Sequence, residues 1–297
     1  PAPSGHVIFP FMNRLTYKIA SLLLAAQVAA FADVSYVEEV VNSGVGSKKR
    51  GARRTIHQVH IKGARQRVST DIETSKEMTR VLQNQGATLQ GTKILLLDQN
   101  RLYDINRSTG TYRQQTLPAT KRVAPASAGK PAASAASADP NREITVRTRV
   151  LQDTMRIAGV LCHRVAAEMT ARHFKPGTQT VQRVNRYLYQ AWMADAFPGY
   201  DDIVAFRGLQ QVRTSLAPLL RGGLDQLADV VEDPERLETE LENLRGFPMQ
   251  SELKVFAKVG SAKERQLLRL SRRVLSLSHQ SLPDSLFRPS RDLKSVK

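Results

Sequence analysis

Cys162 and His163 stand side by side in RIAGVLCHRV, in a chain with one cysteine and six histidines. A thiol beside an imidazole is the pair a cysteine nucleophile uses, provided the base reaches the sulfur. The surrounding residues read as a strand, and strand neighbours face opposite ways. His163 is therefore badly placed to activate Cys162. A base would come from elsewhere, from His57, His60 or His173, and no sequence feature selects one of them. The expected role of Cys162 is that of a small buried hydrophobe. A reactive thiol and an intermolecular disulfide are the other readings.

The remaining chemistry-bearing residues are weaker signals. His57 and His60 are three apart on a predicted strand, so they point to opposite faces and a shared metal is disfavoured. Gly44 and Gly46 precede Ser47-Lys48, but without the spacing of a phosphate-binding loop, which leaves a polar turn. Asp201 and Asp202 precede a helical run, where adjacent acids more often cap the N-terminus than form a catalytic pair. Neither G-x-S-x-G nor H-E-x-x-H occurs. These residues imply no catalytic site, no metal and no cofactor, and hence a protein that is not an enzyme.

The elements that would position these residues are mostly strands. Alternation of apolar and polar residues marks a first strand at Val34, Tyr36 and, less strictly, Val40. The basic turn NSGVGSKKRGARR leads to a second run at about 55–73. ILLLD and RLYDI, separated by Gln99-Asn100, then TYRQQ after Ser108-Thr109-Gly110, read as a meander of short hairpins. Residues 118–143 are rich in Pro, Ala, Ser and Lys and are expected to form a flexible loop. ITVRTRVLQ follows, with Ile144, Val146 and Val150 on the face opposite Arg147 and Arg149, and a turn is expected at Asp153. Gly159 is read as allowing a tight turn into the strand that carries Cys162. The next strand, VQRVNRYLYQAWMAD, places Tyr187 and Tyr189 on one face and Trp192 on the other.

Between about 202 and 245 the apolar residues fall at helical spacings: Leu216, Leu219, Leu220, Leu224, Leu227 and Val230. Gly222-Gly223 and Asp233-Pro234 divide this insertion into two or three short helices. Strands return with SELKVFAKV and ERQLLRLSRRVLSLSHQ, and the tail SLPDSLFRPSRDLK reads as irregular. The fold class is mainly β with a helical insertion (α+β), one large antiparallel sheet curled around a helical element that covers its apolar face.

The amino-terminal stretch points to export. MNRLTYK from Met12 carries Arg14 and Lys18 without an acid, and IASLLLAAQVAAFA follows, ending in Ala30-Phe31-Ala32. A basic start, an apolar stretch of about 7–15 residues and an A-x-A end make a secretory signal peptide. Cleavage is expected after Ala32, before Asp33, with no transmembrane span left afterwards. The expected organisation is an extension and signal peptide over 1–32 (the signal itself 12–32) and one domain over 33–297.

The formal net charge is +17, which raises the question of nucleic acid. Basic residues are spread along the chain, apart from KKRGARR at Lys48–Arg54 and pairs such as Arg272-Arg273, and aromatics make up 6%. An exported cationic surface meets anionic envelope lipids instead. No nucleic-acid partner is expected.

Several short motifs in fixed order carry a resemblance that covers nearly all of residues 33–297. They are VSYVEEV, VHIKGARQRV, LLLDQNRLYDINRSTGTYRQ, TMRIAGVLCHRV, YLYQAWMAD with FPGYDD, GFPMQSEL and LPDSLFRPSRDLK. In this order the chain resembles a family of exported bacterial proteins catalogued as a domain of unknown function. That family is similar in turn to the outer-membrane lipoprotein-sorting (LolA-like) superfamily. The departures are the tail RPSRDLK and the insertion at 118–143. The resemblance implies a half-open β-barrel, a strongly curved antiparallel sheet with helices as a lid over an apolar cavity. It also implies a periplasmic location in a Gram-negative bacterium.

The resulting expectation is a non-enzymatic carrier or binding protein for a lipid or a lipoprotein acyl chain. Leu216, Leu219, Leu220, Leu224 and Leu227 would line the cavity from the lid, and Tyr103 and Trp192 from the sheet. A cationic rim would suit an anionic headgroup. The alternative is an envelope protein-interaction or stress-sensing regulatory module with the same fold.

Overall fold

Period-two alternation builds nearly every element of this chain. In the strand Val34–Asn42 (β1), Val34, Tyr36, Glu38 and Val40 turn inward while their neighbours stay half-exposed. The computed structural model describes residues 33–44, 51–84, 87–117, 141–211 and 246–296. After β1 come β2 (Arg53–Lys62), β3 (Arg65–Thr74), a short helix α1 (Lys76–Asn84), β4 (Gln90–Leu96), β5 (Arg101–Asn106) and β6 (Thr111–Thr116). Then follow β7 (Arg142–Ile157), β8 (Val160–Phe174), β9 (Val181–Ala194), helix α2 (Tyr200–Gln211), β10 (Phe247–Val259) and β11 (Arg265–Ser278). A 3-10 turn at Asp284–Phe287 and the two-residue strand β12 (Lys294–Ser295) end the described chain.

The described strands form a single 12-stranded sheet in the order β12-β6-β5-β4-β3-β2-β1-β11-β10-β9-β8-β7. Every pairing is antiparallel except β12 with β6, which is parallel. The sheet is curved and does not close, with β7 at one edge and β12 at the other. The mainly-β reading holds.

Local boundaries differ from expectation in several places. The run at 55–73 is two strands, β2 and β3, turned at Gly63-Ala64 with Gly63 at φ +53°. Arg142 and Glu143, expected in the loop 118–143, belong to β7 and pair with His173 and Arg172. Residues 118–140 lie outside the described residues. No turn occurs at Asp153. The register of β7 against β8 shifts between Val150 and Thr154, a bulge that absorbs the polar residues without ending the strand. The turn comes at Ala158-Gly159, where both residues have positive φ. The tail is not wholly irregular, because Lys294 and Ser295 pair with Thr111 and Tyr112. Of the helical insertion expected at 202–245, the described part is α2.

The largest apolar cluster runs across the sheet from β5 to β7. It joins Leu102, Leu95, Ile61, Val59, Tyr36, Val274, Phe247, Met249, Cys162 and Ile157, and α2 adds Ile203 and Phe206. A second cluster, around Met169, Tyr187, Leu253, Val255 and Leu268, lies on β8–β11. A third, of Ile94, Leu96, Tyr103, Ile105 and Phe287, sits on the opposite face of β4–β5 beneath the carboxy-terminal segment. Both faces of β4 are thus covered, and Ile94, Leu95 and Leu96 are all buried.

That segment is tied down by polar contacts. The Leu282 N–H donates to the Asp33 carboxylate at 2.6 Å, and Lys62 Nζ donates to the Leu282 carbonyl at 2.7 Å. Arg67 reaches the Leu286 carbonyl at 2.9 Å.

Candidate functional site

Glu38 occupies a slot that alternation assigns to an apolar residue. It follows Val34 and Tyr36 on the inward face of β1 and is itself buried. The register sets His57 of β2 directly opposite it, and Arg272 of β11 faces the next inward residue, Val40. Arg272 Nε donates to Glu38 Oε2 at 2.7 Å, and its Nη2 reaches the same oxygen. His57 Nδ1 lies 3.0 Å from the Thr70 hydroxyl.

Phe247, at the start of β10, is the floor of this cluster. Its ring meets Tyr36 edge-on at 5.5 Å and Phe197 at 5.7 Å. Two guanidinium groups lie against it, Arg272 at 5.5 Å and Arg207 of α2 at 5.0 Å from the ring centroid. Cation–π geometry is favourable within about 6 Å.

The electrostatics follow from partial burial. Desolvation, with the nearby Glu38 charge, pushes the Tyr36 hydroxyl up to about 12, so it remains a neutral donor across the ordinary pH range. Desolvation opposes the Arg272 charge, but Glu38 outweighs it and the guanidinium pKa rises. Burial lowers His57, with Glu38 acting the other way, and burial raises Tyr189. Arg207 combines two properties: it is exposed to solvent, yet the protein around it desolvates the charge and lowers its pKa. Its guanidinium lies 5.0 Å from the centre of the Phe247 ring, which accounts for part of that desolvation.

The result is a cationic centre against the buried main cluster at Tyr36 and Phe247, with the half-buried Tyr189 of the second cluster within reach of its charges. Such an arrangement can hold an anion that carries an apolar body.

The residues singled out in the sequence are dispersed. Trp192 packs half-buried against the main cluster, with the Arg164 guanidinium 6.0 Å from its ring. Tyr103 does not share that surface. Leu102 takes the main cluster, so Tyr103 points to the other face and packs with Phe287 and Tyr112. Leu216, Leu219, Leu220, Leu224 and Leu227 lie outside the described residues, as does Ala32. Asp33 is buried and holds the Leu282 amide.

Cys162 is buried in the main cluster, and desolvation raises its thiol pKa. His163 turns away to the Asp195 carboxylate at 3.1 Å. Asp201 and Asp202 fall in the first turn of α2. Burial, then the nearby Asp33 and Asp201 charges, raise Asp202. Among the described residues no cluster of three or more His, Cys, Asp or Glu is arranged to hold a metal. No helix among them is long and apolar enough to cross a membrane.

An open cleft of about 440 Å³ lies between Asp33, Lys62, Arg65, Asp98 and Asp284. Its charges answer one another: Lys62 pairs with Asp284 at 3.0 Å and Arg65 with Asp98 at 2.9 Å. It ties down the carboxy-terminal segment and is a weaker candidate than the cationic centre.

Glu38, Arg207 and Phe247 were not singled out from the sequence, and Arg272 was noted there just as one of a basic pair. One signal was available: an acid in the alternating series Val34, Tyr36, Glu38, Val40 needs a buried partner. The sequence matches no protein-family model and no curated protein.

Proposed function

We propose that this chain is a non-enzymatic, exported binding or carrier protein of the bacterial periplasm, built on a LolA-like half-open barrel. Its ligand is a lipid or a lipoprotein acyl chain, held on the concave side of the sheet beneath a helical lid that begins with α2. The observation that supports this reading is an unclosed sheet with apolar clusters spanning it and α2 docked on β2. Burying a methylene contributes about 0.8 kcal/mol, so an acyl chain on such a surface needs apolar area more than any single polar contact.

Native mass spectrometry of the protein purified from the periplasm, with lipid extraction, tests the reading. A co-purifying lipid and displacement of an apolar fluorescent probe by lipids are expected. Absence of both defeats the carrier reading.

One observation favours the alternative, an envelope interaction or stress-sensing module. The strand β7 has 16 residues and, among the described residues, no partner on its outer edge, with Val150 70% exposed and Leu161 on the adjoining strand 57% exposed. Such an edge can accept a strand from a partner. Protection of β7 amides from hydrogen exchange by envelope extract, without bound lipid, would favour this module.

A further inference from the structure

Two like charges lie on Phe247, and among the described residues the charge of one carboxylate, Glu38, acts on both. Arg272 is already bonded to Glu38. Arg207 reaches the same ring from α2, and among the described residues Glu38 is the one carboxylate whose charge acts on it. Two guanidinium groups against one phenyl ring repel each other, and partial withdrawal from water strengthens that repulsion. A second anion between them relieves it. Guanidinium presents a planar fork of donors suited to the paired oxygens of a carboxylate or phosphate. Tyr36 meets the same ring edge-on at 5.5 Å, and the charges of both arginines act on the phenols of Tyr36 and Tyr189.

The surroundings limit what the anion is attached to. Tyr189 packs against the apolar cluster of Met169, Tyr187, Leu253 and Val255. Phe247 and Tyr36 belong to the main cluster. A small hydrated ion gains nothing from apolar neighbours, whereas the half-buried Tyr189 and Leu270 at the edge of the second cluster leave apolar area on which an amphiphile can bury its tail.

We propose that Arg207 and Arg272, set against Phe247, form a subsite for the oxyanion headgroup of an amphiphile, whose apolar tail lies along the neighbouring cluster. This inference rests on the carrier reading above and specifies its ligand class.

The test uses the full chain and an apolar fluorescent probe displaced by palmitate, hexadecyl phosphate or hexadecanol, with inorganic phosphate as a tail-less control. A charge-assisted contact corresponds to about tenfold in affinity. The protein is expected to bind at least one of the two anions about that much more tightly than hexadecanol. Arg207→Gln is expected to abolish the preference, bringing the anions down to the affinity of hexadecanol, while Arg207→Lys retains part of it. Arg207 is exposed, so these variants are expected to fold, which thermal melting verifies. A preference for palmitate assigns a free carboxylate, and a preference for hexadecyl phosphate assigns a phosphate headgroup. Equal binding of acid and alcohol by the unmodified protein overturns the subsite and leaves the carrier reading intact. Failure of all three amphiphiles overturns both. Inorganic phosphate competing as well as hexadecyl phosphate overturns the amphiphile assignment.

Discussion

Arg272 and Glu38, 234 positions apart in the sequence, share a 2.7 Å hydrogen bond across the β1–β11 junction. Their side chains are 24% and 11% exposed, so neither charge is fully solvated. Removing one partner of such a pair leaves the other charge uncompensated, which is more damaging than removing both. Glu38→Gln is expected to lower unfolding stability by about 3 kcal/mol, read as a shift in the urea midpoint. Glu38→Met with Arg272→Met should recover a large part of that loss. A single variant as stable as the parent would show that the pair is solvated.

Tyr36 makes stability depend on alkaline pH. Its ordinary pKa is 10.0, and burial raises it in the fold to about 12. Below pH 10 both folded and unfolded chains keep this proton, and the contribution is fully present. Between about 10 and 12 the unfolded chain releases the proton while the folded chain retains it, so stability falls as pH rises. The shift amounts to about 2–3 kcal/mol at its limit. Tyr36→Phe should flatten this slope and remove a step near pH 12 from the tyrosinate absorbance titration. Identical slopes for the two proteins would contradict the burial of this hydroxyl.

Gly246 leads into β10 at φ +106°, and a Cβ there would sit 2.9 Å from the Ala194 carbonyl oxygen. Both the dihedral and the contact exclude a side chain. Gly246→Ala is expected to destabilise by about 2 kcal/mol and to displace Phe247 from beneath the two arginines. Chemical denaturation measures the first effect, and weaker anion preference in probe displacement measures the second.

Phe287 fastens the carboxy-terminal segment to the outer face of β4–β5, where it is 1% exposed beside Tyr103. Phe287→Ala is expected to cost about 3 kcal/mol. It should also speed amide exchange in β4–β6 more than in β8–β10. A uniform acceleration would mean that the segment is integral to global folding and not a local clasp.

Alternation made most strands legible, because one buried face imposes period two on β1, β2 and β9. It failed where both faces are covered. ILLL in β4 is continuous because the carboxy-terminal segment packs on the side that Leu95 leaves free, and for the same reason Tyr103 faces away from the main cluster. The helix α1 has no buried residue, and its apolar residues Met78, Val81 and Leu82, though at helical spacing, make too short a run to mark a helix. Asp153 resembled a turn because a bulge and a turn use similar polar residues. The site is non-local. Glu38 was visible as an acid out of place, but its partner depends on the β1–β11 pairing, and Arg207 depends on where α2 docks.

That same pairing has a consequence for how the molecule assembles. All neighbours in the sheet are consecutive in the chain except β1 with β11 and β6 with β12. The meanders β1–β6 and β7–β11 can each zip up from local hairpins, which form in about 1–10 μs. Joining them requires Val34–Asn42 to find a strand that is synthesised only at Arg265–Ser278. Closing so long a loop is slow, so the central seam forms late, after the halves that flank it. Until then the inward faces of β1 and β11, Glu38 and Arg272 among them, stay open to water, and the anion subsite does not exist. The binding centre is therefore assembled by the final docking of two half-sheets, and its appearance reports completion of the fold.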